Sequence, residues 1–439
     1  MFLILLLVMA APARPSVITL EQAIDECIAF SPDLRAAAES VEQSQGDLKT
    51  ASLLPNPTLL FLSSLQPFAG HPFSPIRQGG PPQFDVSLLW PVDWLLFGKI
   101  FKAKDAVHKG LDANRATHEN TIRQRVALTT ASFFAVLEAK ELARLAHEHA
   151  NNLSEVSKLT QKKITYGGAS NVDGDHAILA ANVAQREARE AEFVLFVARS
   201  QLRAVLGRPS PAPDFDVVGT LEPIKRVPTE NFDEAYQRAQ THRPDIQALQ
   251  LRIAQAKAQL AHAHRDAFPA MNLQGGFSYQ DQQKAIGYPG AFSWSLGMSM
   301  EIPTFDRNQG HILKAQALTR EAELRLEAAL VQLQSELEQA LHGYELADTV
   351  VNQDLPLQLR MVRAIRTRMM ETYSKGGQTL VDVLDAERDV LETTRLNTIA
   401  QVGYWRALYR LRTVLGEKQE NRAVREPPLQ EITTEKIQP

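Results

Sequence analysis

The chain contains an internal repeat, and this repeat limits the possible folds more than any other feature. Motifs of the first half recur at a spacing that changes once, from 212 to 209 residues. The pairs at a spacing of 212 include Pro57 and Pro269, Pro91 and Pro303, and Gly98 and Gly310; those at 209 include Gly167 and Gly376, Asp173 and Asp382, and Ala177 and Ala386. Solenoid repeats are much shorter, at roughly 20–50 residues. The sequence therefore predicts a duplicated half-protein.

Each half is expected to contain the same elements in the same order. A helix, at about residues 19–53 and 231–267, is followed by two strand-like segments, and two long helices then flank a glycine turn. The predicted segments are a signal peptide at 1–13, a first structural repeat at 14–207, a proline-rich linker at 208–230, a second structural repeat at 231–416 and a polar tail at 417–439. The signal peptide is inferred from an apolar run that ends in an Ala-x-Ala pattern.

The long helices carry the pattern of a coiled coil. Residues 99–165 contain no proline and keep apolar residues three and four apart, which predicts one helix about 100 Å long. In the returning helix the apolar intervals alternate between four and three, at Ala177, Ala181, Ala184, Ala188, Ala191, Leu195, Ala198, Leu202 and Val205. Such a heptad is the seam of a coiled coil. In the second half, Pro356 should kink the corresponding hairpin.

The strand-like segments have the length and alternation of membrane strands. Residues 292–302 alternate strictly between large apolar and small or polar side chains, and the segment from Met271 to Tyr279 is a similar partner. A strand that crosses a bilayer needs about 9–11 residues with apolar side chains outward. An antiparallel sheet with one solvated face shows the same alternation, so both alternatives stay open. Small closed barrels use about eight strands, so four strands per chain would require several protomers to share one barrel.

Composition excludes several other classes of protein. The net charge of −4 is spread along the chain and offers no concentrated basic face for nucleic acid. The single cysteine, Cys27, provides neither a disulfide framework nor a cysteine metal site. The histidines of each close pair in the chain, His147 with His149 and His262 with His264, are two residues apart. Residues that share a helix face are three or four apart, so no metal site is expected. No nucleophile, nucleotide or cofactor motif is present, and we expect no catalytic residues.

At the level of motifs, the chain resembles the TolC family of outer-membrane factors over about residues 17–416. The shared features are the duplicated halves, the Leu-Pro-Asn-Pro at 54–57, the strand exits at Pro91 and Pro303, the Gly98-Lys99 pair and the Tyr-x-x-Gly turn at 373–376. Details such as Pro-Asn-Pro look similar to the branch that serves heavy-metal efflux. The resemblance implies a mainly α fold with a small β part, in which helical hairpins form an α-barrel and four strands per chain contribute to a shared β-barrel.

The same resemblance implies a function and partners. It implies a homotrimer in outer-membrane lipid that extends into the periplasm and serves as a passive conduit for efflux or type I secretion. A periplasmic adaptor (membrane fusion) protein and an inner-membrane pump would be its partners. A periplasmic coiled-coil adaptor or a structural protein of the cell envelope is the alternative. Adaptors have one hairpin between β-rich domains, whereas this chain has two hairpins and two strand pairs.

The hairpin tips are the candidate functional sites. Expected adaptor-docking positions are Gly167, Gly168, Ser170, Gly376, Gly377 and Thr379. Expected pore-constriction positions, implied by the resemblance, are Asp173, Tyr373, Asp382 and Asp385. Gln378 stands where a family prototype has a gating arginine, so a tyrosine–arginine–aspartate latch is not supported. The simpler interpretation is a plain helix–turn–helix loop in which glycine reverses the backbone and aspartate favours a helix N-terminus.

Overall fold

The computed structural model describes residues 17–66, 76, 80–209, 215–223, 231–283 and 287–417. The predicted signal peptide, most of the tail and parts of the linker lie outside these described residues. The described part is mostly helical with few strands, which confirms the predicted mainly α class. The chain divides into two compact units. One comprises Met1–Arg35, Asn120–Arg243 and Gln332–Pro439, and the other comprises Ala36–Glu119 and Pro244–Val331.

The helices follow a similar order in the two halves. Those of the first half are α1 (Leu20–Phe30), α2 (Pro32–Ser52), the short α3 (Asp93–Leu96), α4 (Lys99–Thr165) and α5 (Asn171–Val205). Those of the second half are α6 (Phe232–His242), α7 (Pro244–Asp266), α8 (Gln309–Thr349), α9 (Leu355–Ser374) and α10 (Leu380–Val414), with a π-helical segment at Val350–Asp354. The first predicted helix of each half is thus a pair of helices. Each pair breaks before a proline, Pro32 or Pro244, because the residue before proline disfavours the α conformation.

The first unit has a core built around the middle of α4. Phe133, Val136 and Leu202 are fully or nearly fully buried there, together with residues of α1. Strand β1 (Val17–Ile18) pairs in parallel with β4 (Asp216–Val217), so the start of the described chain is joined to the linker. Helix α1 begins directly after β1, and it is capped by Thr19, whose side chain accepts a hydrogen bond from the backbone of Gln22.

Paired charges, buried at Arg208 and Glu26 and partly exposed at Asp216, connect the same junction. The Arg208 guanidinium donates to both oxygens of Glu26, at 2.8 and 2.7 Å, and both side chains are almost completely buried. The guanidinium also lies 4.6 Å from the ring centroid of Phe215. Asp216 binds Lys140 at 2.6 Å and Arg199 at 2.9 Å. A buried ion pair persists where both charges are paired and hydrogen-bonded, so these contacts hold the linker against the helices.

The second unit contains a four-stranded antiparallel sheet. Its strands are β2 (Thr58–Ser64), β3 (Gln83–Pro91), β5 (Met271–Gln280) and β6 (Ala291–Met300), in the order β2-β3-β5-β6. Each half therefore contributes one hairpin, and β3 pairs with β5 across the two halves. At the ends of the strands, Phe97 stacks on Phe268 with 5.1 Å between ring centroids. The Lys99 ammonium pairs with Asp93 at 2.8 Å.

The register gives the sheet two chemically different faces. One face carries apolar rows that run across the strands, such as Phe61, Val86, Phe277 and Trp294. The other face is richer in polar and small residues, where Gln83 donates to Asp85 at 2.8 Å and to Ser278 at 3.0 Å. The first hairpin is less regular, since Leu60 and Leu62 share the polar face. The apolar face is uncovered, with Phe292 83% and Trp294 75% exposed.

Candidate functional site

The first hairpin tip is a tight turn between α4 and α5. Gly167 adopts φ +74°, a conformation that side chains rarely tolerate. The Gly168 amide donates to the Lys163 carbonyl at 2.7 Å, and the Gly167 amide donates to the Ile164 carbonyl at 3.0 Å. These two bonds form a Schellman motif, which satisfies carbonyls at the helix end. Gly167 is therefore required by the turn itself, and both glycines leave an exposed backbone at the tip.

The second hairpin tip repeats this geometry between α9 and α10. Gly376 adopts φ +85°, and its amide donates to the Tyr373 carbonyl at 3.0 Å. The Gly377 amide donates to the Thr372 carbonyl, also at 3.0 Å. Both glycines are exposed, as are Ser170 of the first tip and Thr379 of the second. All six predicted docking positions therefore lie at exposed positions of two similar turns.

Two of the predicted constriction residues cap the returning helices. The Asp173 carboxylate accepts from the Ser170 amide at 3.0 Å, while the Ser170 hydroxyl accepts from the Asp173 amide at 3.1 Å. Asp382 and Thr379 form the same capping box on α10. Hydrogen bonds from the backbone and side chain of Ser170 lower the pKa of Asp173, and those from the side chain and backbone of Thr379 lower the pKa of Asp382. Both groups therefore remain anionic at neutral pH.

Asp385 occupies a different position from the capping aspartates. It is exposed on α10, one turn beyond the cap, and pairs with Arg388 at 3.3 Å. A surface pair of this kind contributes little stability. Its carboxylate is therefore accessible near the tip, and its role at a pore constriction stays a prediction.

Tyr373 lies inside the protomer, between the two hairpins. It is only 4% exposed and belongs to an apolar cluster with Val156, Ala177, Leu380 and Val383. Its hydroxyl lies 2.9 Å from the Thr160 hydroxyl of α4. The Lys163 ammonium lies 3.6 Å from the centre of its ring and also donates to its backbone carbonyl. The two tips are therefore packed side by side at their bases, and Tyr373 connects them.

Sequence reasoning missed the partners of Tyr373. Thr160 and Lys163 lie on α4, more than 200 positions away, and nothing in their local pattern distinguishes them from other residues of an amphipathic helix. It also missed a partly buried ion pair further from the tip, in which Arg366 of α9 donates to Glu387 of α10 at 2.7 Å. The Glu387 side chain is only 2% exposed. Both contacts depend on which helices are neighbours in space.

A cavity of about 230 Å³ lies where α10 packs on α4 and α5. His149 of α4 lines it together with Glu187 of α5 and Arg395 of α10. Burial lowers the pKa of His149, and the nearby carboxylates of Glu387 and Glu187 oppose this shift. Burial therefore favours the neutral form of this imidazole in the folded protein at neutral pH.

No helix among the described residues combines the length and apolarity needed to cross a membrane. Within the same residues, no cluster of three or more His, Cys, Asp or Glu side chains is arranged to hold a metal ion. The geometry of the tips thus contains capping carboxylates, exposed backbone and a buried tyrosine contact. The tips therefore present exposed polar backbone and negative charge.

Comparison with known proteins identifies similar sequences and folds. Residues 235–417 match the model of the family described as outer membrane efflux protein. The chain is 23% identical to the probable outer membrane lipoprotein SilC of Salmonella typhimurium, over 87% of this chain and 82% of SilC. It is also 23% identical to the cobalt-zinc-cadmium resistance protein CzcC of Cupriavidus metallidurans, over 85% of this chain and 84% of CzcC.

The fold is shared with a solved structure. The crystal structure of CusC, described as a study of folding and transmembrane channel formation, matches with a TM-score of 0.74. The match covers 94% of this chain and 96% of CusC at 19% sequence identity. At this level of identity the match indicates a similar fold.

Proposed function

We propose that the chain belongs to the outer membrane efflux protein family, whose model matches residues 235–417, and that it is the passive outer-membrane conduit of a tripartite efflux system. It lies in the outer membrane and extends into the periplasm. Cargo passes through it without a chemical step, and an inner-membrane pump supplies the energy. The alternative role as a periplasmic adaptor is disfavoured by the two hairpins and the four-stranded sheet.

The sheet is the observation that carries this proposal. Its strands β5 and β6 each have 10 residues, the length that spans a bilayer. Its apolar face is uncovered, and its outer strands β2 and β6 each pair on one side only within the described sheet. Open edges are not viable in lipid because their backbone groups would lack hydrogen-bond partners. Further copies must therefore close the sheet, with β6 of one copy beside β2 of the next.

The resemblance to the family supplies the number of copies. Three chains of four strands each would form a twelve-stranded barrel, and their hairpins would form the α-barrel. The similar order of elements and the long spacing of the recurring motifs support an origin by duplication. With two similar halves per chain, a trimer presents six similar hairpins around its axis.

The two hairpin tips are the proposed docking surface for the periplasmic adaptor. Exposed backbone at Gly167, Gly168, Gly376 and Gly377 is accessible to another protein, and the caps at Ser170 and Thr379 fix its shape. Asp173, Asp382 and Asp385 place negative charge beside the tips, where Tyr373 holds the hairpins together. We assign these four residues to the pore constriction and metal cations to the cargo. CzcC, named for cobalt, zinc and cadmium resistance, is similar over most of the chain.

The proposal is tested in a Gram-negative host that lacks its own metal-efflux outer-membrane channel but retains the pump and adaptor. Expression of the full chain should restore growth on cobalt, zinc or cadmium, and the protein should fractionate with the outer membrane. Asp385→Asn with Asp382→Asn should reduce resistance, while Asp266→Asn, which belongs to the other compact unit, should not. A soluble periplasmic monomer would refute the conduit. Restored growth on an organic cargo but on no metal would refute the assignment of metal cations.

A further inference from the structure

The cavity that α10 forms with α4 and α5 lies inside the first unit, and we call it the α4–α10 cavity. All three helices contribute apolar side chains to its lining, namely Leu142, Leu145 and Ala146 of α4, Ala191 of α5 and Leu391 of α10. Its volume of about 230 Å³ is larger than that of an engineered apolar cavity of roughly 150 Å³ that binds benzene. The α4–α10 cavity therefore has room for one ring-sized molecule.

Two polar side chains of the lining are left without a direct partner. They are the imidazole of His149 on α4 and the carboxylate of Glu187 on α5, and neither makes a hydrogen bond or a salt bridge with the described residues. The third polar group of the lining, the Arg395 guanidinium, already donates twice to the Glu392 carboxylate, at 2.9 Å each. The groups that a bound molecule could satisfy are therefore the imidazole and the Glu187 carboxylate.

The electrostatic surroundings of His149 favour a positive guest. Burial lowers the pKa of His149, whereas the carboxylates of Glu387 and Glu187 oppose this shift. The imidazole is thus mainly neutral at neutral pH and offers one nitrogen lone pair, while the carboxylates make the potential around it negative. An apolar cavity with two hydrogen-bond acceptors and a negative potential suits a cation that has an apolar body.

The second half of the chain lacks this pair of polar groups. Glu187 corresponds to Leu396 at the spacing of 209, and His149 corresponds to Gln358 at 209 or to Met361 at 212. A helical hairpin of the same pattern is therefore built without the imidazole and the carboxylate. Their presence beside the α4–α10 cavity is a local feature rather than a requirement of the hairpin fold.

We propose that the α4–α10 cavity binds a small organic cation, a primary ammonium on an apolar body about the size of a benzyl group. An ammonium has three N–H donors and no acceptor, so it donates to the Glu187 carboxylate and to the imidazole of His149. The apolar body fills the space between the leucines and alanines, where its burial is favourable. An anion of the same size would meet the Glu187 carboxylate, and an uncharged molecule would leave that carboxylate unpaired.

A molecule bound here would connect the helical hairpin α4–α5 to α10 of the other hairpin. It would contact His149 and Glu187 on one side and Leu391 on the other. The site lies about 16 Å along α4 from Thr160, so it is a second connection between the hairpins besides Tyr373. A ligand that binds only the joined form reduces the separated population about a hundredfold when its concentration is 100 times its Kd.

The experiment is isothermal titration calorimetry of the full chain, extracted from outer membranes in detergent, with benzylamine at neutral pH. We expect one saturable site per chain, at least tenfold weaker binding of uncharged benzyl alcohol, and no binding of benzoate. Glu187→Gln should weaken benzylamine binding at least tenfold, and Ala191→Met, which fills the cavity, should abolish it. Glu190→Gln is the matched control and should bind as the unmodified protein does, because Glu190 pairs with Arg186 and lies outside the lining.

Light scattering in detergent first shows that each variant has the oligomeric state of the unmodified protein, so that a loss of binding reports on the cavity. Benzylamine that does not saturate, benzyl alcohol that binds equally well, or Ala191→Met that binds normally would each overturn the proposed site. An equal loss in Glu187→Gln and Glu190→Gln would overturn the role of the Glu187 carboxylate. None of these results depends on transport, so a failure here leaves the proposed conduit in place.

Discussion

Replacing Thr160 by valine should loosen the junction between the two hairpin tips. The Thr160 hydroxyl donates to the Val156 carbonyl at 2.9 Å and can accept from the Tyr373 hydroxyl, also at 2.9 Å. Valine has a similar shape, so the main loss is the acceptor for a tyrosine that is only 4% exposed. A buried polar group left without a partner costs about 1–3 kcal/mol.

This cost should appear as faster local opening of the second tip. Because about 1.4 kcal/mol corresponds to a factor of ten, the amides of Gly376 and Gly377 should exchange hydrogen about ten- to one-hundredfold faster in Thr160→Val. Tyr373→Phe should have a smaller effect, about 0.5–1.5 kcal/mol, because Thr160 keeps its bond to Val156. Hydrogen exchange measured by mass spectrometry on the intact protein gives both values.

A matched control separates this contact from a general effect on α4. Thr165 is exposed on the same helix, and its hydroxyl donates to the Gln161 carbonyl at 3.0 Å. Thr165→Val should leave exchange at the second tip almost unchanged. Unchanged exchange in Thr160→Val, or a larger effect in Tyr373→Phe than in Thr160→Val, would refute the assignment of this hydrogen bond as the connection between the tips.

Three further predictions concern the rest of the molecule. Trp294→Arg should destabilise the membrane-inserted protein by about 2–4 kcal/mol, since it places a charge on the apolar face, whereas Ser293→Arg on the opposite face should be milder; recovery of folded protein from outer membranes compares them. Arg366→Met should lower the free energy of unfolding by about 1.5–3 kcal/mol by leaving Glu387 buried without its partner, as measured by denaturant melts, while combining it with Glu387→Met should restore part of the loss. Because burial lowers the pKa of His149, the unfolded state binds more protons, so the stability of the unmodified protein should fall as pH drops below about 6.5. Thermal melts at pH 7 and pH 5.5 should show a smaller fall in His149→Asn. If the variant and the unmodified protein lose the same stability between these two pH values, the reasoning is contradicted.

Much of the local structure could be predicted because it depends on neighbouring residues. The proline-free stretch before the first tip forms the single helix α4, and the glycine turns occur at Gly167 and Gly376. The alternation in 292–302 places strand β6, whose bounds are Ala291–Met300. Pro356 follows a π-helical segment, which is one recognised cause of a kink. The predicted helix at 19–53 was too simple, since the Ser31-Pro32 step divides it.

The candidate site was predictable in position but not in its contacts. The spacing of the recurring motifs identified both tips and the aspartates that follow them, and both aspartates form capping boxes. The burial of Tyr373 against Thr160 could not be predicted, because it depends on which faces of two distant helices meet. The roles of the tip residues in docking and constriction remain predictions, since they depend on partners that the chain alone does not contain.

The types of the elements, their order and the recurring motifs could be read from the sequence, because helix periodicity, strand alternation and turn chemistry act between near neighbours. How the two halves combine depends on the tertiary structure. Each compact unit draws segments from both halves, strand β3 of the first half pairs with β5 of the second, and Arg208 is buried against Glu26. These contacts join residues about 180 or more positions apart, and their stability comes from burial and pairing in three dimensions, which no local pattern records.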